Sequence, residues 1–422
     1  MNPSSRVSDS AAYVAAAVIG FLASYPVSAL GVTSAGELIL AAIGVAAAIR
    51  LLASTKRGSP LLTIGGLAGL TISGYLISDL WNHVAAFDSQ RRIGGLFLFA
   101  AAILACTALA NSRSAAMIAF LAGHAVGELA INQTALDQFD KRSTGLIVCF
   151  ITVALVAMLH RSGAGIARFT MFAYGAAALF CLVNDDRANA GLMAVMCAFD
   201  ARSILANRRF RTASLAITAL VACSVVAVFA DYYIRSDAEY RARRAASNGI
   251  RLAGWVTAVQ AISESPVVGH GSWASPPELL DRFEQRIADW TGRRNLRPPE
   301  YAHIFDVHSA LLQSWYEGGA LGAVLFLYAA FALVRGLQLG MAAPDRSQTA
   351  TYYVWALALW HLLFSPFSGT HRMVLAFAVA SATLAIAARK SALSRAAVFE
   401  RVLWAEASGR PGLAALERGG RA

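Results

Sequence analysis

The chain has 422 residues, of which 57% are hydrophobic and only 14% charged. A soluble protein of that length carries nearer a quarter charged residues, so a string of soluble domains is excluded. The net charge of +11 comes almost wholly from arginines scattered over the connections between apolar blocks, which excludes a nucleic-acid-binding face and fits a membrane protein with a positive cytoplasmic side.

The first apolar block follows a short polar start in which Arg6 is followed by Asp9, and further blocks come at once. It reads as an uncleaved first membrane helix rather than a signal peptide. Blocks of roughly twenty apolar residues, each long enough to cross a bilayer core as helix, predict about twelve transmembrane helices. They fall at 11–31, 34–54, 60–82, 93–111, 115–133, 143–160, 168–184, 188–205, 212–233, 309–336, 350–367 and 371–388. The cysteines Cys106, Cys149, Cys181, Cys197 and Cys223 all lie inside spans, which predicts neither a disulfide framework nor a Cys-based metal site. Span five carries His124 and Glu128 on one face. This pair reads either as the proton relay of a transporter or flippase, or as a buried interhelical hydrogen bond. No Gly/Pro-broken spans recur in symmetric halves, which speaks against the transporter.

Short-loop Lys and Arg set the orientation. Lys56, Arg57, Arg113, Arg161, Arg168, the Arg202–Arg211 cluster and Arg346 share one side with the basic tail, and that side is read as cytoplasm. The opposite connections carry fewer: Arg91, Arg92, Lys141, Arg142, Arg187 and Arg372. The expected fold is thus an all-α polytopic membrane protein with one large periplasmic loop containing amphipathic helices. Residues 1–234 hold about nine N-terminal transmembrane helices, 235–308 the loop, 309–388 about three further spans, and 389–422 a basic cytoplasmic tail.

Long ordered loops on a rigid scaffold tend to carry function. The loop reads as two helices. Over 238–263, Arg244, Arg251, Trp255, Ala258 and Ile262 recur at helical spacing, a stripe suited to the membrane interface with Arg251 aimed at something anionic. Ser265-Pro266 ends it, and Gly269-His270-Gly271 forms a turn where backbone can approach a ligand closely. Ser275-Pro276-Pro277-Glu278 predicts the start of a second helix with Ser275 as its cap, an apolar face of Leu280, Phe283 and Ile287, and a stop at Gly292. This helix is either a lid over a cavity or a packing element. His308 sits where the loop re-enters the bilayer.

In this topology Arg187, Arg251 and His308 converge on the outer side. Two guanidinium forks suit phosphate oxygens, and a neutral imidazole can take a proton from an attacking hydroxyl. The set suits transfer from a lipid diphosphate. Each residue also has a plainer reading, headgroup anchor for the arginines and helix cap for the histidine.

Three pieces, in this order, carry a resemblance: Arg251-Leu252-Ala253-Gly254-Trp255, then Glu264-Ser265-Pro266-Val267-Val268-Gly269-His270-Gly271, then His308-Ser309 through Glu317-Gly318-Gly319-Ala320-Leu321-Gly322. Together with the long loop they resemble the O-antigen ligase and Wzy-type polysaccharide polymerase superfamily. The resemblance implies metal-independent, inverting glycan transfer from undecaprenyl diphosphate, without a cofactor. It implies Arg251 at the diphosphate, His308 at the acceptor and Arg187 as the family's earlier arginine. The catalytic set is then His308, Arg251 and Arg187, and the substrate-binding set Arg244, Trp255, Gly269, Gly271, Glu317 and Arg372. Members often carry Ser two residues before the earlier arginine, where this chain has Asn184-Asp185-Asp186-Arg187. Many have His-Asn at His308-Ser309, although Ser still caps a helix. The implied partners are a lipid-linked glycan, the bilayer and other polysaccharide-assembly proteins. A non-catalytic assembly partner is the third possibility, and it would tolerate loss of the loop's charged residues.

Overall fold

The computed structural model describes residues 3–27, 33–52, 60–109, 114–131, 141–161, 167–183, 186–205, 238–292, 305, 307–342, 348–367 and 369–407. The ninth predicted span, 212–233, lies outside the described residues. Among the described residues there are thirteen helices: α1 (Pro3–Ala23), α2 (Ala35–Leu52), α3 (Pro60–Trp81), α4 (Ala86–Leu109), α5 (Ser114–Ile131), α6 (Lys141–Arg161), α7 (Ala167–Val183), α8 (Arg187–Leu205), α9 (Ala238–Glu264), α10 (Pro277–Thr291), α11 (Ala310–Ala342), α12 (Thr349–Phe364) and α13 (Gly369–Ala407). Among the described residues four stretches are long and apolar enough to cross a membrane: Pro60–Trp81, Ala86–Thr107, Ala310–Met341 and His371–Leu393. The remaining apolar helices include Tyr13–Ala23, Ala115–Ile131 and Thr144–His160. Apart from one two-residue ladder the described secondary structure is helical, and the chain is a polytopic integral membrane protein.

Three boundaries differ from the sequence expectation. The first apolar block does not run on to residue 31. Helix α1 ends at Ala23, and the chain turns through a two-residue ladder in which β1 (Pro26–Val27) pairs antiparallel with β2 (Thr33–Ser34). Pro26 has no N–H and disfavours helix in the residue before it, so the helix ends just ahead of it. Ser34 and Glu37 then open α2 with a reciprocal capping box: Glu37 N donates to Ser34 Oγ at 3.2 Å, and Ser34 N to Glu37 Oε2 at 3.0 Å. Helix α4 starts at Ala86, so Arg91 and Arg92 belong to a helix rather than a connection. Helix α13 continues to Ala407, well into the expected tail.

One apolar core runs through the helices, centred on Phe99, Phe120, Phe150, Phe326, Tyr174 and Tyr353. A second, smaller core lies under the loop, where Leu279, Phe283 and Ile287 of α10 meet Ala258 and Ala261 of α9 and Tyr316 of α11. Leu279, rather than the expected Leu280, is the fully buried leucine of α10. Gly292 ends α10 as expected, with φ 68 and its N–H on Ala288 O at 2.8 Å. Ser275 does not cap α10. Pro276 takes the N-cap position, and Ser275 Oγ accepts the N–H of Phe305 at 2.9 Å instead. Pro277 at the first helical position has no N–H, so one donor that a cap would serve is missing.

On the expected relay pair, His124 is fully buried and its Nδ1 lies 2.7 Å from Ser24 Oγ at the end of α1. This is the interhelical hydrogen bond set against the proton relay.

Candidate functional site

The site forms where the loop after α9 meets a break in α11. Gly319 adopts φ 64 and ψ −162 inside that helix, a region open in practice only to glycine. A broken helix leaves backbone groups that must find partners elsewhere, above all in a membrane. The loop supplies them. His270 N donates to Tyr316 O at 2.9 Å, Gly271 N to Glu317 O at 3.0 Å, and Ala320 N donates back to Val267 O at 3.2 Å. Gly269 and Gly271 have φ 82 and 90. The close backbone approach predicted for this turn is made to α11 itself: a Cβ on Gly269 would lie 2.5 Å from Glu317 O, and one on Gly319 2.0 Å from Val267 O. Two separated glycine motifs thus form one seam.

Charged and polar side chains of α3 and α4 close the seam. Ser78 Oγ donates to Glu317 O at 2.6 Å and accepts Gly271 N at 2.9 Å. Asp79 takes Ser272 N at 2.6 Å, Ser272 Oγ at 2.9 Å and Ser89 Oγ at 2.5 Å. Glu317, 2% exposed, receives Arg92 Nη2 at 2.6 Å and Gln313 Nε2 at 3.1 Å. Removing one partner of such a buried pair costs about 3–5 kcal/mol, because the other charge is left uncompensated.

Arg372 belongs to a neighbouring pair. It is bidentate on Glu37, Nε at 2.7 Å and Nη2 at 3.2 Å. A Cβ on Gly95, one turn beyond Arg92 on α4, would lie 3.2 Å from Arg372 Nη1, so Arg372 packs closely against α4. Glu317 and Arg372, expected to bind substrate, therefore both have internal partners.

Arg251 is exposed on α9, and one turn on, Trp255 stacks on Phe364 with ring centroids 5.0 Å apart. His308 is half-buried at φ 49, directly before α11. The next residue, Ser309, caps α11, accepting Leu312 N at 3.3 Å and donating to Leu362 O at 3.4 Å. Trp255, one turn from Arg251, and Ser309, next to His308, thus both touch the last turn of α12. Replacing Ser309 by alanine is expected to destabilise the protein by about 1 kcal/mol, and asparagine to restore it. The measurement is the thermal midpoint of the detergent-solubilised protein.

Arg187 opens α8, and Asp186 caps that helix, taking Asn189 N at 3.2 Å and Asn189 Nδ2 at 2.7 Å. The carboxylate beside Arg187 is thereby engaged with the helix end. The side chains of Arg187 and Arg244 lie outside the described residues.

The non-glycine residues with positive φ among the described residues are His83, Trp273 and His308. His83 lies in the α3–α4 turn next to Asn82, which bonds Gly269 O at 3.3 Å, and the other two flank the seam in the loop. Strained backbone of this kind collects at functional sites. At the loop's outer edge Arg282 of α10 pairs with Glu264 of α9. That hydrogen bond holds the Glu264 carboxyl below its usual range, a contribution present above the unfolded carboxylate's pKa and lost as pH falls through the folded one. The pair is solvent-exposed and adds little.

Sequence reading missed Ser78, Asp79, Ser89, Arg92 and Trp273. Asp79, an ionisable residue near the end of an apolar span, was the available signal.

No curated protein matches the chain. Residues 148–327 match the family model described as O-antigen ligase, a stretch holding α9, the glycine loop, α10 and the broken first part of α11. Over that stretch the chain is similar to the O-antigen ligase and Wzy-type polymerase superfamily, whose members are glycosyltransferase-like enzymes acting on polyprenyl-linked glycans in membranes.

Proposed function

We propose that the protein transfers a glycan from an undecaprenyl-diphosphate-linked donor at the periplasmic face of a bacterial inner membrane, as a Wzy-type polymerase of exopolysaccharide, capsule or O-antigen. The observation that carries this reading is the meeting of two chain segments of the matched stretch, around Trp255 and Ser309, on the last turn of α12. In the proposed reaction a hydroxyl of the acceptor attacks the donor's anomeric carbon while His308 takes its proton. The bond from that carbon to the diphosphate oxygen breaks in the same displacement, which inverts the configuration. Arg251 and Arg187 hold the diphosphate and stabilise the charge it gains on leaving, the work a divalent cation does elsewhere. Arg244 and Trp255, from the same helix α9 as Arg251, are assigned to binding the donor. Gly269, Gly271, Glu317 and Arg372 form the wall behind it.

The test is reconstitution of the purified protein in liposomes with a polyprenyl-diphosphate-linked repeat unit and a chelator. The expected product is a ladder of longer lipid-linked chains with the anomeric configuration opposite to the donor's. Product that appears only when lipid A core is added would instead make the protein a ligase. No transfer to either acceptor would remove the enzymatic reading.

A further inference from the structure

Trp273 is a bulky residue at φ 59, a conformation that costs a non-glycine residue about 1–3 kcal/mol. It is nonetheless 40% exposed, so burial of its indole does not explain why a tryptophan stands there. The backbone on both sides is pinned. Asp79 holds Ser272 at its N–H (2.6 Å) and its hydroxyl (2.9 Å). Tyr316 OH donates to Ala274 O at 2.9 Å, and Ala274 N to Gly271 O at 3.3 Å. The Arg92 guanidinium lies 3.8 Å from the ring centroid, itself held by Glu317, and Arg91 lies 5.6 Å away. The buried network thus presents a rigid indole outward at the rim of the seam, two residues from Ser275, which bonds Phe305 on the approach to His308.

We propose that Trp273 is a stacking platform for a sugar ring of the glycan, set beside the transfer site. A pyranose has an apolar face of C–H groups and a rim of hydroxyls. A flat indole of similar size, with Arg91 over the ring and Ser275 bonded to its backbone, complements both parts. An acyl or polyprenyl chain would instead call for an apolar groove, whereas the Trp273 ring lies against two guanidinium groups. Preorganisation by the Asp79 and Arg92 contacts means that little ordering is left for the moment of binding. The inference rests on the glycan-transfer reading above and adds a residue that selects the sugar.

The test uses the full-length protein in nanodiscs and oligosaccharide repeat units hydrolysed from the polymer that disappears when the gene is deleted. Asparagine tolerates the left-handed conformation, so Trp273→Asn removes the indole without adding strain. Saturation-transfer NMR should show weaker oligosaccharide contact in Trp273→Asn. The KM for the glycan donor should rise about tenfold, with kcat changed less than about twofold. Trp273→Phe should recover most of both. Unchanged KM and sugar contact in Trp273→Asn would overturn the platform, as would a fall in kcat together with a fall in thermal midpoint, the mark of a scaffold residue. An inactive wild type that still binds the oligosaccharide through Trp273 would sink the transferase reading and keep the platform. An active wild type indifferent to Trp273→Asn would do the reverse.

Discussion

Replacing Arg251 by alanine, or His308 by asparagine, is expected to abolish long-chain glycan while leaving the amount of membrane-inserted protein unchanged. Arg251 is exposed on α9, so its removal leaves no buried cavity. His308 needs a more careful substitution. Its φ of 49 makes alanine a strained replacement, whereas asparagine tolerates that backbone and does not act as a base near neutral pH. Loss of a positioned base costs about 10²–10⁴-fold in rate, and loss of a fixed donor to the leaving charge about 10²–10³-fold. Either deficit removes polymer from a gel. Arg251→Lys should also be impaired, because an ammonium cannot reproduce a planar fork on a diphosphate. Full activity in Arg251→Lys would mark a headgroup anchor. Normal glycan in both Arg251→Ala and His308→Asn would return the protein to the role of a non-catalytic assembly partner.

Gly319→Ala is expected to destabilise the protein on the order of 3 kcal/mol or more, since the Gly-only conformation and the collision add. The added carbon would lie 2.0 Å from Val267 O and 2.6 Å from the Val268 carbonyl carbon, all backbone, so nothing nearby can rotate away. Relief would come only by pulling the glycine loop off α11, which strands the N–H groups of His270, Gly271 and Ala320. The protein should fall in monodisperse yield from detergent and in thermal midpoint. Gly66→Ala on α3 is the control: a Cβ there meets nothing within 4 Å, and the substitution should leave both quantities level or slightly improved. A Gly319→Ala protein as stable as wild type would mean that the break in α11 is dispensable.

Features set by local chemistry were legible in the sequence. The extent of α9, the Gly292 stop of α10 and the Ser309 cap each depend on a few consecutive residues, and each lies where spacing and side-chain type put it. The family resemblance was legible because its motifs are short and ordered. The polar frame was not. Arg92 and Glu317 are 225 residues apart, and Glu37 and Arg372 are 335 apart, so no window brings them together. Arg91 and Arg92 also read as loop charges, because counting Lys and Arg for orientation treats every arginine as exposed. Here α4 begins early and carries Arg92 into the protein, where a carboxylate compensates it. The Gly269-His270-Gly271 turn was recognised as a place of close approach, but what approaches is α11, a partner that chain order does not reveal.

The seam and α10 differ in how they tolerate change. Adding or deleting one residue between Val267 and Ser272, or around Gly319, would slide every hydrogen bond across the break out of phase. Helix α10 is tied to α9 by Arg282 to Glu264 and Arg286 to Gln260, and it ends in a glycine that tolerates a change of direction. The exposed face of α10 can therefore vary in sequence and length far more freely than the seam, as long as Leu279, Phe283 and Ile287 keep their places in the core.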